Sequence, residues 1–218
     1  MPGAEIGQKR IYDGHAGRQG RFKGDETAAI VLRIMKPYVA GRCLDIGAGS
    51  GALVRALQAK GYDSAGVDIA GVSKDIIRGS VTGLPFGSET FDTLFCCDAI
   101  EHLTGEQLDA GLEEAGRVLK AGGHFIVTTP FDENLRLNEV SCPECGHEFH
   151  RYGHLQTFDT RRIKEILGTH RLKVIFLRVY ALGAMAKLPL GRYLNRLFLR
   201  WDYDFVGKSI VLAARKSG

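Results

Sequence analysis

Two spacings of apolar residues take turns along this chain, and their order predicts its architecture. Residues 26–39 place Ile30, Val31, Ile34, Met35 and Tyr38 at helical spacing. A short apolar strand follows at 42–46, then a helix at 51–60 and a second strand at 64–69. From Asp68 to Leu84 only a short connection is available, so any helix there is abbreviated. FDTLFCC at 91–97 reads as a buried strand. The helix at 105–119 is acidic early, at Glu106 and Asp109, and basic late, at Arg117, which complements its dipole. Ala121-Gly122-Gly123 closes that helix and 124–129 forms the next strand. A helix near 159–167 and strands near 172–180 and 205–214 complete the series. Strands alternating with helices predict an α/β fold built on a parallel sheet.

Composition changes this picture little. The 218 residues are 44% hydrophobic and 25% charged, the balance of one globular domain with insertions. No run of 18 apolar residues is present, and the opening MPGAEIGQKR lacks the apolar stretch of a secretory signal. A cytoplasmic protein is expected, with residues 1–24 as a polar, glycine-rich arm. Charge is more informative. The net +4 conceals 15 Lys/Arg against 21 Asp/Glu in residues 1–150, and 14 against 4 in residues 151–218. A basic final third fits either an anionic partner or a solvated basic face. Five cysteines make no even disulfide framework, and Cys43, Cys96 and Cys97 fall inside apolar strands as small buried hydrophobes.

The candidate chemistry begins where the first strand ends. Cys43-Leu44-Asp45-Ile46-Gly47-Ala48-Gly49-Ser50-Gly51 runs from apolar strand to carboxylate to three alternating glycines, and a helix follows at once. Glycines belong where a strand turns sharply into a helix and a ligand must touch the backbone. Gly47, Gly49 and Ala52 also satisfy the G-x-G-x-x-A form of a nicotinamide fingerprint. Asp45 favours a different ligand, because a carboxylate beside the turn suits a cationic group better than a pyrophosphate.

The pattern D-x-G-x-G-x-G, with Asp68 ending the next strand, resembles the S-adenosylmethionine (SAM) site of class I methyltransferases. Further blocks extend the likeness over residues 40–130. Leu84-Pro85-Phe86, Phe91-Asp92, Glu101-His102-Leu103 and Arg117-Val118-Leu119-Lys120-Ala121-Gly122-Gly123 are similar to the ordered series of the small-molecule branch. His154-Leu155-Gln156-Thr157-Phe158 resembles the element that follows the sheet in ubiquinone-biosynthesis-like members. The resemblance implies a Rossmann-like seven-stranded sheet with helices on both faces and an antiparallel last strand. It also implies a SAM crevice lined by Asp45, Gly47, Ala48, Gly49, Asp68, Ile69, Asp98 and Ala99. Where this family often carries an acid toward adenine, the chain has Ser80 and Val81, so adenine recognition falls to backbone groups and to packing by Ile69, Val81 and Leu84. Methyl transfer is an in-line displacement that depends on alignment. His102 is the candidate general base, and Tyr12 and His15 of the arm are candidate lid residues.

An insertion at 130–157 carries Cys142-Pro143-Glu144-Cys145-Gly146, a turn in which two thiolates three residues apart can share an ion. With His150 and His154 it reads C-x2-C-x4-H-x3-H, a structural zinc site, with His147 as an alternative ligand. A redox pair, an incidental cluster, or service of His154 at the acceptor site are the competing readings. A second insertion at 181–203 includes RYLNRLFLRW, where Arg192, Arg196 and Arg200 oppose Tyr193, Leu194, Leu197, Phe198 and Trp201 on a helical wheel. Such a face fits weak contact with an anionic membrane, an amphiphilic substrate, or plain packing on the sheet. The sequence therefore predicts a SAM-dependent methyltransferase acting on a small or lipid- or sugar-linked acceptor. An RNA methyltransferase and a catalytically inactive SAM-binding partner protein are the alternatives, and no RNA-binding module is evident.

Overall fold

The computed structural model describes residues 23–71, 75–187, 199 and 207–218. Five strands lie parallel: β1 (Cys43–Ile46), β2 (Ser64–Asp68), β3 (Ile76–Arg78), β4 (Phe91–Cys97) and β5 (Leu119–Pro130). The short β6 (Glu139–Ser141) and β7 (Glu148–His150) form a separate hairpin. Beyond it, β8 (Leu172–Ala181) and β9 (Lys208–Lys216) return to the main sheet, and β9 runs antiparallel to both β5 and β8. The order is β3-β2-β1-β4-β5-β9-β8, the seven-stranded sheet the resemblance implied.

Helices α1 (Lys23–Met35) and α2 (Ala52–Gln58) cover one face, and α3 (Gly105–Val118) and α4 (Thr160–Thr169) the other. A short α5 (Leu182–Lys187) joins α1. Side chains alternate across a pleated strand. Leu94 and Cys96 of β4 therefore meet α3 through Leu108 and Leu112, while Phe95 meets Val31 and Met35 of α1. The cysteines of β1 and β4 serve this packing as free thiols, and burial pushes the Cys43 thiol up to about 12.

Two local expectations change. The Ala121-Gly122-Gly123 run does not separate helix from strand, because β5 begins at Leu119, directly after α3. Leu119 pairs with Phe91, the register then shifts, and Gly122 takes a positive φ of 75°. A Cβ on Gly123 would stand 2.9 Å from the Asp92 carbonyl, so its bare backbone lets the shifted strand stay against β4. The first insertion, read from its spacing as a zinc-binding turn, contains a hairpin. Its 139–150 part pairs through Glu139–His150, Val140–Phe149 and Ser141–Glu148. Tyr12, His15 and the 192–198 and 200–201 parts of the basic segment lie outside the described residues.

Candidate functional site

At the carboxyl ends of β1, β2 and β4 the backbone leaves its regular geometry. Gly47, Gly49 and Gly51 have φ of +76°, +50° and +80°, and a Cβ on Gly47 would stand 2.8 Å from the Ala99 Cβ. The turn after β1 is thus wedged against the turn after β4 and requires glycine there. Asp68 ties this arrangement together. Its carboxylate accepts N–H bonds from Gly49 and from Ala70, both at 2.9 Å, fixing the glycine turn to the end of β2. Asp45 sits beneath the turn, 3% exposed, and burial, with the charge of Asp68 added, pushes its carboxyl up to about 8.

Asp98 has the least relaxed environment in the crevice. It adopts a left-handed φ of 50°, one oxygen accepts from the Thr128 hydroxyl at 3.2 Å, and its buried Oδ2 has no hydrogen-bond partner among the described residues. A strained residue presenting an unsatisfied acceptor is a place where a ligand completes the bonding. Ile69 is 46% exposed beside Asp68, an apolar surface open to an aromatic ring. The expected cofactor residues Asp45, Gly47, Ala48, Gly49, Asp68, Ile69, Asp98 and Ala99 therefore lie on adjoining strand ends, and an acceptor-rich, glycine-lined crevice fits SAM. Ser80 and Val81 are engaged otherwise. The Ser80 hydroxyl accepts from the Thr82 N–H at 3.2 Å within its own turn, and Val81 packs on Gly111 of α3.

A second cluster lies past Ala99, in the single-turn 3-10 helix Ile100–His102. Glu101 is 1% exposed, and the Thr129 hydroxyl donates to its Oε2 at 3.0 Å. Its carbonyl accepts from Leu155 and Gln156, and Gln156 donates back to the Leu103 carbonyl at 2.7 Å. These bonds bring His154 to His102, with ring centroids 4.8 Å apart. The His102 Nδ1 faces the Gly153 carbonyl at 3.1 Å, and the His154 Nδ1 faces Glu133 Oε2 at 2.5 Å. Burial first, and then the neighbouring His154, push the His102 imidazole down to about 4. A base that weak is poorly matched to proton abstraction near neutrality. Burial opposes ionisation of Glu133, but the hydrogen bond and charge of His154 outweigh it and hold the carboxyl below its usual range.

The expected zinc ligands do not come together. Among the described residues, groups of three ligating side chains form at Glu101, His102 and His154 and at Glu133, His150 and His154, and neither includes a cysteine. The hairpin register explains this. Cys142 and Cys145 occupy the tip, whereas His150 pairs with Glu139 at the base, three residues and about 10 Å along the strand from His147. His150 turns inward at 8% exposure, while Cys145 is exposed. The sequence reading missed Glu133 as the partner of both histidines. Nothing in its spacing marks it, because the contact with His154 spans 21 residues and depends on the hairpin closing.

The family blocks divide into two groups in space. Arg117 donates to the carbonyls of Phe86 and Leu84 at 2.7 and 3.0 Å, and Glu114 accepts the Leu84 N–H at 2.7 Å. Asp92 accepts from the Arg42 N–H and from Lys120, both at 2.9 Å. The 84–86, 91–92 and 117–123 blocks thus brace the end of the sheet away from the crevice, and only the Glu101-His102-Leu103 block faces it.

Comparison with known proteins agrees with this geometry. Residues 44–127 match the family model described as "Methyltransferase domain". The chain is 31% identical to a sarcosine/dimethylglycine N-methyltransferase of Aphanothece halophytica, over 55% of this chain and 48% of that protein. It is 32% identical to a ubiquinone biosynthesis O-methyltransferase of Azorhizobium caulinodans, over 44% and 43%. It therefore spans about half the length of the curated relatives it matches. Among solved structures, 1,6-didemethyltoxoflavin-N1-methyltransferase of Burkholderia thailandensis, with bound S-adenosylhomocysteine, shares the fold. The TM-score is 0.60 at 15% identity, covering 99% of this chain and 84% of that one. The sheet order, the glycine turn and the matched core agree: the fold is that of the SAM-dependent methyltransferases, and residues 44–127 match a methyltransferase domain.

Proposed function

We propose that this protein transfers a methyl group from SAM to a small-molecule acceptor. Gly47 and Gly49 hold the cofactor through the backbone, Asp68 and Ile69 meet its ribose and base, and Asp45, Asp98 and Ala99 line its methionine side. The observation that carries this reading is the glycine turn after β1, with Gly47, Gly49 and Gly51 at positive φ and the Gly49 N–H held by Asp68 at the end of β2. SAM supplies an electrophilic methyl group on a sulfonium, so the chain's part is to align the acceptor and exclude water. His102 and His154 stand one short turn beyond Ala99, on the acceptor side. The names of the curated relatives, acting on sarcosine or dimethylglycine and in ubiquinone biosynthesis, support a small acceptor. The basic excess after residue 150 supports an acceptor, or a presenting surface, that is anionic.

Calorimetry with SAM and S-adenosylhomocysteine, followed by methyl release to a panel of small acceptors, tests the proposal. Asp68→Ala removes both a ligand acceptor and the tether of the glycine turn. It is expected to weaken binding about 10-fold or more, equivalent to about 1.4 kcal/mol. Tight NADH binding with no response to SAM overturns the assignment.

A further inference from the structure

We propose that the α1 face of strands β5, β9 and β8, at the end of the sheet away from the crevice, binds single-stranded nucleic acid. Strand register assembles the surface. His124 of β5 pairs with Arg215 of β9, and Arg215 pairs with Lys173 of β8. Directly opposed residues share a face, so these three side chains form one row across the sheet. The pairing of β8 then shifts between Val174 and Phe176. That extra residue brings Phe176 and Arg178, opposite Ala213 and Val211, back to the face of the row. Phe176 packs against the cluster that holds Val31, Met35, Val211 and Ala213, which fixes this face as the one carrying α1.

Aromatic rings stand beside the cations. Tyr38, in the 3-10 turn Lys36–Tyr38 after α1, meets His124 edge-on with ring centroids 5.8 Å apart, and meets Phe176 at 5.7 Å. The Arg178 guanidinium lies 5.7 Å from the Phe176 ring centre. The three rings are half-buried, whereas Lys173, Arg178 and Arg215 are exposed. Burial first, with the Arg215 charge adding to it against a bond to the Tyr38 backbone, holds the His124 imidazole below its usual range. His124 is therefore an uncharged ring near neutrality. The acids at this end of the sheet are engaged elsewhere: Asp63 with Arg42, Asp92 with Lys120 and Glu89 with Lys216. Lys173, Arg178 and Arg215 meet no carboxylate among the described residues.

Unpaired cations interleaved with rings match the two parts of a nucleic-acid strand, phosphates and flat bases. A duplex hides its base faces in the stack, so the rings favour a single strand. Half-buried rings do not reach into a bilayer, which leaves a membrane only the charge. The row begins at His124, and the crevice end of the same strand is Pro130, about 20 Å further on. The surface is thus separate from the cofactor turn and does not depend on the methyltransferase reading. Its residues come from four segments of the chain, which is why spacing along the sequence did not reveal it.

Fluorescence anisotropy of the full-length chain with a labelled single-stranded RNA of about 12 nucleotides tests the site. Binding is expected at low salt and should fall as salt rises, because each neutralised phosphate releases counterions. Lys173→Ala and Arg178→Ala should each weaken binding and flatten its log–log salt slope by about 0.7. Phe176→Leu keeps the apolar packing but removes the stacking face, and should weaken binding about 5-fold or more at an unchanged slope. Melting curves report folding, and the two exposed cations are replaced without touching the core. No binding at low salt, equal affinity in all three variants, equal binding of a duplex of the same length, or capture by anionic vesicles but not by RNA overturns the proposal.

Discussion

Asp45 is buried at the end of β1, under a turn proposed to receive a cation, and its ionisation should be visible in stability. Its folded pKa of about 8 stands well above the value of 3.8 expected for a free side chain. A raised carboxyl stabilises fully below the unfolded value and loses that contribution as pH rises through the folded one. The melting temperature of the ligand-free protein should therefore fall, relative to Asp45→Asn, from about pH 4 to about pH 8 and then level off. S-adenosylhomocysteine, which brings an ammonium group to the crevice, should narrow the gap. Parallel melting curves for the two proteins across that range, with and without ligand, would remove Asp45 from the cofactor's surroundings. Asp68 makes a different use of the same side chain. Both its oxygens already hold backbone N–H groups, so it is a tether as well as a ligand acceptor.

Elements show why short sequence blocks repeat together. Arg117 near the end of α3 grips the 84–86 segment through two carbonyls and Glu114, so these blocks are two sides of one contact. Replacing Arg117 with methionine keeps the stem but leaves the Leu84 and Phe86 carbonyls without it. The expected loss is about 2 kcal/mol, read by urea unfolding, with little change in cofactor affinity per folded molecule. A fall in affinity without a loss of stability would mean that the bracing end communicates with the crevice. The start of α3 is set locally. The Thr104 hydroxyl accepts the Gln107 N–H at 3.2 Å while the Gln107 side chain accepts the Thr104 N–H at 3.0 Å, a capping box formed by neighbouring residues alone. That cap ends the Glu101-His102-Leu103 turn where it does and so fixes the position of His102.

For the molecule as a whole, charge is divided along the chain, with 21 acids against 15 bases up to residue 150 and 4 against 14 after it. Each arginine close to an anionic bilayer adds about 1 kcal/mol of attraction. Co-sedimentation with anionic but not neutral vesicles at low salt, lost at high salt and weakened by Arg196→Glu with Arg200→Glu, is the result that would support the membrane reading of the basic segment. Equal recovery in all supernatants would rule that reading out. No described helix is long and apolar enough to cross a membrane. Whereas the seven-stranded sheet was implied by the family resemblance, the alternation of strands and helices, the glycine turn and the strand-end acids were legible in the residues because each rests on local rules. These are the period of apolar positions, the φ that only glycine adopts freely, and the place of a carboxylate at a strand end. The insertion was not legible in the same way. Spacing paired Cys142 and Cys145 with His150 and His154, but ligands meet in space, and a hairpin register of three pairs moved the cysteines to its tip. Tertiary contacts alone joined Glu133 to His154 and brought the 154–158 segment against Glu101. Local periodicity thus determined the strands, the helices and the glycine turn, whereas the histidine–carboxylate cluster depended on contacts between segments 20 to 50 residues apart, which no local rule encodes.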